Sequence, residues 1–250
     1  MTVALVAAFA LAGACVQATT GMGFALILTP IMFALLSPVG AIVAVTLLGL
    51  ELNLLVLFAE GRRPRVAWRE VTPILAAVVP GTVCGVLVLR VLPKPLLQVA
   101  VGLAVIGAVL VRLRAVRAAA AAAAAPATAG PGRLAVGFAT GALTTSAGVS
   151  GPPLALWLSR RGLAPADFRD SLTALFLATG IIGLVALLPV LGHAHLQPAL
   201  LVVPVACVLA GHAVGSRAFA RLDARAFEPL LLAVILAAGV ASVVFGIGAL

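Results

Sequence analysis

Hydrophobic stretches fall at about residues 2–19, 22–36, 39–59, 71–91 and 95–111, then again at about 134–147, 151–159, 168–190, 198–216 and 227–249. A helix needs roughly 20 apolar residues to cross the hydrocarbon of a bilayer. The third, fourth and fifth members of each set reach that length. The second member is short in both sets, about 15 and 9 residues. A hairpin of two broken helices dipping towards the midplane fits it better than a full span, provided protein covers its irregular backbone. The pattern therefore predicts an all-α membrane protein of two halves. Each half has about three full transmembrane helices plus a glycine-broken short-helix hairpin.

The interruptions themselves repeat. Gly13-Ala14-Cys15-Val16-Gln17-Ala18-Thr19-Thr20-Gly21-Met22-Gly23 breaks the first apolar run, and Gly141-Ala142-Leu143-Thr144-Thr145-Ser146-Ala147-Gly148-Val149-Ser150-Gly151-Pro152-Pro153 breaks the corresponding run about 128 residues later. Pro38 to Thr46 resembles Pro165 to Thr173 at an offset of about 127, and Gly81-x3-Gly85 answers Gly211-x3-Gly215 at about 130. Paired, broken, short hydrophobic segments at matching places in two halves point to a transporter's binding site. The glycine pairs at 81/85 and 211/215 read instead as small-xxx-small helix packing.

Composition agrees with the membrane reading. Apolar residues are 64% of the chain and charged residues 9%, against roughly half and a quarter in a soluble domain. The first twenty residues lack a basic leading region and a small-residue cleavage site, so they read as a retained membrane segment. A net charge of +9 does not imply nucleic acid, because the arginines lie between apolar segments. They form four clusters: Arg62, Arg63, Arg65 and Arg69; Arg112, Arg114, Arg117 and Arg133; Arg160, Arg161 and Arg169; Arg217, Arg221 and Arg225. The positive-inside rule places all four in the cytoplasm. The two halves then insert upside down relative to each other, with both termini on the outer side. Arg90 and Lys94 fall on that side and oppose the rule, but two charges do not overturn four clusters. The domain boundaries expected are 1–114 for the first repeat, 115–132 for a cytoplasmic Ala/Pro/Gly linker, and 133–250 for the second, inverted repeat. Cys15, Cys84 and Cys207 are isolated within apolar runs and read as buried small hydrophobes rather than disulfide or metal partners.

The chemistry concentrates at the hairpin tips. A helix N-terminus offers unpaired N–H donors and about half a positive charge, so two of them converging on one cavity bind an oxyanion without a buried lysine or arginine. The expected substrate-binding residues are Thr19, Thr20, Gly21 and Gly23 at the first tip, and Thr145, Ser146, Gly148, Ser150 and Gly151 at the second. Gln17, just before the first tip, is a further candidate to hydrogen-bond substrate or a partner helix. Glu51 lies about halfway along the segment 39–59, where an ionised carboxylate is expensive. It reads either as a site coupling anion movement to the proton gradient or as a carboxylate facing an aqueous vestibule or a neighbouring helix. Its position in the other half is about Ala178, so it is not duplicated. Asp167 and Asp170 suit the first turn of a helix, and His193 and His195 read as solvated loop residues.

Thr20-Gly21-Met22-Gly23-Phe24 leading to Pro30, with Ser37-Pro38 next, resembles the first-repeat signature of the TauE/SafE family of sulfite and organosulfur-anion exporters. Gly148-Val149-Ser150-Gly151-Pro152-Pro153, followed by Leu154 and a basic turn at Arg160-Arg161, resembles the second. The resemblance covers about residues 3–249. It implies a multi-pass transporter of small anions in the bacterial cytoplasmic (inner) membrane, its partners being a small anionic substrate and the lipid bilayer. The expectation is a secondary transporter of sulfite, a sulfonate or another organic or sulfur oxyanion by alternating access, and not an enzyme. No cofactor, metal or nucleic acid is expected, and a homo-oligomer stays open. Two alternatives compete. One is an anion channel of the same architecture. The other is an intramembrane serine protease using Ser150 and His212, since Gly148-Val149-Ser150-Gly151 satisfies a G-x-S-G pattern and Gly211-His212 resembles a histidine helix.

Overall fold

The computed structural model describes residues 2–59, 61, 63–97, 99–100, 102–103, 106–107, 110, 114, 132–159, 161–193, 199–219, 236, 240, 243–244 and 247–248. Eight α-helices run in order: α1 (Thr2–Thr20), α2 (Phe24–Leu35), α3 (Pro38–Phe58), α4 (Trp68–Val91), α5 (Gly132–Ala147), α6 (Gly151–Ser159), α7 (Pro165–Leu187) and α8 (Ala199–Phe219). A 3-10 turn at Leu188–His193 extends α7. No strand occurs among the described residues. Of the fifth predicted segments, the described positions between 94 and 110 and between 236 and 247 are helical. The linker at 115–131, His195 and several of the predicted cytoplasmic arginines lie outside the described residues.

Among the described residues, five helices are long and apolar enough to cross a membrane: α1, α3, α4, α7 and α8. The predicted short members are short indeed, with 12 residues in α2 and 9 in α6. In the first hairpin only one arm is short, because α1 itself has span length. The long helices expose large apolar stripes. Val79, Val83 and Leu87 on α4, and Val202, Val205 and Leu209 on α8, are all exposed, at the spacing of one helix face. A soluble monomer does not present such surface, whereas a bilayer solvates it.

The sequence parallels correspond to structural ones. Pro38 and Pro165 each open a helix at its first turn, where a missing N–H is harmless. Thr46 Oγ1 donates to the Ile42 carbonyl at 2.7 Å, and Thr173 Oγ1 donates to the Arg169 carbonyl at 2.8 Å. The main helix pairings also exchange with one another when α1–α4 is swapped for α5–α8. Helix α1 packs extensively on α8, α4 packs on α5, and α3 crosses α7. Glycines make both large seams. A Cβ on Gly81 or Gly85 would run into the carbonyls of Phe138 or Ala142, and one on Gly211 or Gly215 would come within 2.5 Å of Leu11 O or 2.6 Å of Cys15 O. Apolar side chains gain little from leaving lipid for another helix, so such backbone proximity is what holds membrane helices together.

The short helices lie inside this frame. Ile27, Leu28, Met32 and Phe33 of α2 are fully buried, as are Leu154 and Leu158 of α6. The latter pack with Val71, Ile74 and Val78 of α4 and with Leu172 and Leu175 of α7. Protein therefore encloses both breaks, as irregular backbone requires at membrane depth. The loop before α4 is fixed by α7: Arg65 N–H donates to Asp170 Oδ2 at 2.8 Å, and Ala67 N–H to Ser171 Oγ at 2.9 Å. Asp170 is thus a structural acceptor. Glu70 Oε2 meets Arg161 Nε at 3.2 Å and accepts from Trp157 Nε1 at 3.2 Å. Cys15, Cys84 and Cys207 are free.

Candidate functional site

Both hairpins turn by one backbone device. Helix α1 ends when the N–H of Gly21 donates to the Gln17 carbonyl at 2.8 Å, and α5 ends when the N–H of Gly148 donates to the Thr144 carbonyl at 3.1 Å. The two glycines have φ of 81° and 67°, the left-handed conformation that closes a helix and that other residues adopt at a cost. The tips touch. Thr29 Oγ1 of α2 donates to the Gly148 carbonyl at 3.3 Å, and the Met22 methyl lies 3.8 Å from where a Gly151 Cβ would stand.

Between the tips is a cavity lined from α1, α2, α3, α5, α6 and α7. About 60 Å³ of it is open to water-sized bodies, which corresponds to roughly four to six waters. Among the described residues, no charged side chain lines it. Phe24, Ala25 and Leu26, the first three residues of α2, form one wall. The first intrahelical bond is Ile27 N–H to Gly23 O at 3.1 Å, so these three N–H groups have no acceptor within the helix. No side chain caps them. Gly148, Val149, Ser150 and Gly151 form the opposite wall. There Pro152 and Pro153 have no N–H to offer.

Most of the lining comes in pairs at an offset of 127: Gln17 with Thr144, Gly23 with Ser150, Phe24 with Gly151, Gly49 with Phe176, and Asn53 with Gly180. The cavity therefore sits where the two halves mirror one another, and yet the partners differ chemically. A Cβ on Gly49 would stand 3.9 Å from Phe24 Cδ1, and one on Gly151 would stand 3.7 Å from Phe176 Cζ. Each half thus makes one Phe–Gly contact between tip and long helix, with the two residues exchanged. The amides belong to the first half alone: Gln17 Nε2 donates to Asn53 Oδ1 at 2.8 Å.

Of the expected site residues, Gly23, Gly148, Ser150 and Gly151 line the cavity. Gly21 shapes the turn instead and faces Arg169, whose Cγ is 3.4 Å from its would-be Cβ. Three hydroxyls donate to helix carbonyls: Thr19 to Val16 at 2.7 Å, Thr145 to Thr82 at 2.9 Å and Ser146 to Ala142 at 2.6 Å. The Thr20 side chain lies outside the described residues. Glu51 is not on the lining, and its Oε2 is buried with no hydrogen-bond partner among the described residues. Asn53, Gly49, Phe24, Phe176 and Gly180 line the cavity without having been singled out. Applying the offset of the tips to the long helices would have found them. His212 is buried on α8, which shares no major interface with α6 and its Ser150. Among the described residues, no cluster of metal-ligating side chains occurs.

No curated protein and no solved structure matches the chain. A protein-family model described as "Sulfite exporter TauE/SafE" matches residues 5–242, nearly its whole length and including both hairpins. With five long apolar helices, this makes the chain a multi-pass membrane protein of a transporter family. It belongs to the sulfite exporter TauE/SafE family.

Proposed function

We propose that the protein is a secondary transporter that carries a small anion, a sulfite or organosulfur oxyanion, through the cavity between the two hairpin tips. The observation that carries this reading is the meeting of both tips at one uncharged cavity, with three unpaired N–H groups of α2 on its wall. Helix dipole and oriented N–H donors suit an anion there without a competing buried cation. The two halves are inverted repeats with all four arginine clusters in the cytoplasm and both termini outside, and rocking of the surrounding helices gives alternating access. The exchange of the α1–α8 and α4–α5 seams under the repeat supports that arrangement. Glu51, with its buried oxygen, is the coupling carboxylate. The protein performs no covalent chemistry, so Ser150 is a donor rather than a nucleophile.

Reconstitution into proteoliposomes tests this directly. Sulfite, sulfonates, sulfate and small carboxylates are offered with and without a pH gradient. Saturable flux of at least one sulfur oxyanion is expected. Saturable flux of none would remove the proposed site, and conductance without saturation would favour a channel.

A further inference from the structure

The composition of the cavity wall says more about the charge of its occupant than about its name. A bound ion loses most of its water, and the cost of that loss rises with the square of the charge, about fourfold from monoanion to dianion. Cationic partners are the usual compensation for a dianion. Here every described lining residue is neutral. The titratable side chains on the surrounding helices include Cys15 on α1, Glu51 on α3, Asp167, Arg169 and Asp170 on α7, and His212 on α8, and none of them lines the cavity. Glu51, Asp167 and Asp170 would oppose a second negative charge, and the one cation of this group, Arg169, stands behind the first turn at Gly21 rather than on the lining.

What the wall offers is a set of neutral donors gathered on the first half. Gln17 and Asn53 are 5% and 4% exposed and both line the cavity. Their mutual hydrogen bond uses Asn53 Oδ1 and one N–H of Gln17. The two N–H groups of Asn53 Nδ2 are left without a partner among the described residues. A buried amide with free donors on a cavity wall is costly unless something accepts from it. Phe24, Ala25 and Leu26, whose N–H groups have no acceptor within α2, line the same space. Of the lining hydroxyls, Thr46 and Thr144 donate to carbonyls of their own helices, Ile42 at 2.7 Å and Thr140 at 2.7 Å, which leaves Ser150 as the second half's donor. Val45, Leu50, Val149 and Phe176 are apolar or aromatic.

We propose that this site selects monoanions, with the Gln17–Asn53 amide pair and the first turn of α2 holding the oxyanion head, and that it excludes dianions. The inference rests on the reading of the cavity as an anion site. For sulfite, whose second ionisation falls near neutrality, the transported species is hydrogensulfite. Organic sulfonates with a small apolar tail are carried in their only charge state.

The test uses the full chain in proteoliposomes, with labelled methanesulfonate, sulfite and sulfate supplied below and above neutral pH. Methanesulfonate is a monoanion throughout and reports any titration of the protein itself. Relative to it, sulfite flux should fall several-fold as the pH on the substrate side rises, following the hydrogensulfite fraction, and sulfate should give background flux. Sulfate flux comparable to methanesulfonate flux, or sulfite flux that does not fall relative to it, would overturn monoanion selection and leave the anion site standing. Absence of saturable flux for all three anions would overturn both. N53D keeps the shape and replaces two donors with an acceptor, so the methanesulfonate KM should rise roughly tenfold. Q17M frees the Asn53 oxygen and should raise the KM less. If neither variant changes KM while both elute as folded protein, the amide pair does not hold the anion.

Discussion

At the first tip Gly23 leads into a helix start with three backbone N–H groups. At the second tip Ser150 leads into Gly151, Pro152 and Pro153, where two of the same three groups are missing. The turns that deliver these ends use the same closure and the same sign of φ. The neighbours of the turns diverge as well. Gly21 faces Arg169, whereas Gly148 faces Thr29, whose Cγ2 and Oγ1 are each 3.3 Å from its would-be Cβ, with Ile42 Cγ1 farther off at 3.8 Å. Arg169 and Ile42 are themselves related by the repeat offset. The backbone that places the tips is thus common to the two related segments, while the residues that line the cavity differ. The first half supplies the amides, and the second supplies the Ser150 hydroxyl and Phe176. A symmetric scaffold lets an alternating-access protein present one site to either side, while an asymmetric lining lets that site prefer one chemistry.

Substitutions at related positions should break this comparison unevenly. G23A should have the largest effect. Gly23 has φ of 127°, and its Cβ would lie 2.6 Å from Val16 Cγ1, so strain of about 1–3 kcal/mol falls on the turn that aims the donors. Saturable flux should drop more than about tenfold. G151A meets nothing nearer than 3.7 Å and should stay within about twofold of the parent. Equal losses would mean that the tips are equivalent. E51Q comes next, because a carboxylate stands in one half only. Accumulation driven by a pH gradient should be lost, while flux down the anion's own gradient persists, as paired assays of the two modes would reveal. Unchanged accumulation would remove Glu51 from coupling. S150A deletes the one hydroxyl the second tip offers, and a roughly three- to tenfold rise in KM is expected. A fall of many thousandfold in turnover would instead mark Ser150 as a nucleophile. P153A restores an N–H to the weaker tip and should tighten anion binding by about twofold, readable as a lower KM.

Much of the frame was legible because it rests on apolar run length and glycine spacing. The short helices end within a residue or two of the breaks expected, since Gly21 and Gly148 force the turn locally. The small-xxx-small reading at Gly81/Gly85 and Gly211/Gly215 corresponds to seams of close backbone contact for the same reason. The side-chain chemistry was less legible. Thr19, Thr145 and Ser146 were expected to serve a ligand, but the hydroxyls of Thr19 and Ser146 have a nearer acceptor in the carbonyl three or four residues back, and that of Thr145 in the Thr82 carbonyl of the neighbouring helix. Asn53 gave the opposite error. Only the tertiary structure shows that Asn53 of α3 reaches Gln17 of α1. Helical periodicity places a residue on its own helix but does not say which neighbour that face meets.

The two glycine seams also set an order of assembly. Helices α4 and α5 are consecutive in the described architecture, so their seam can close as soon as α5 is inserted. The seam of α1 waits for α8, whose first residue comes almost two hundred positions after the start of α1. Helix α1 thus precedes its principal partner by most of the described chain. During synthesis its small-residue face stays open to lipid, to chaperones and to other copies of the chain. A truncation before Ala199 would leave it open for good. The point at which quality control bears on this protein is therefore the small-residue face of α1, which the insertion of α8 covers.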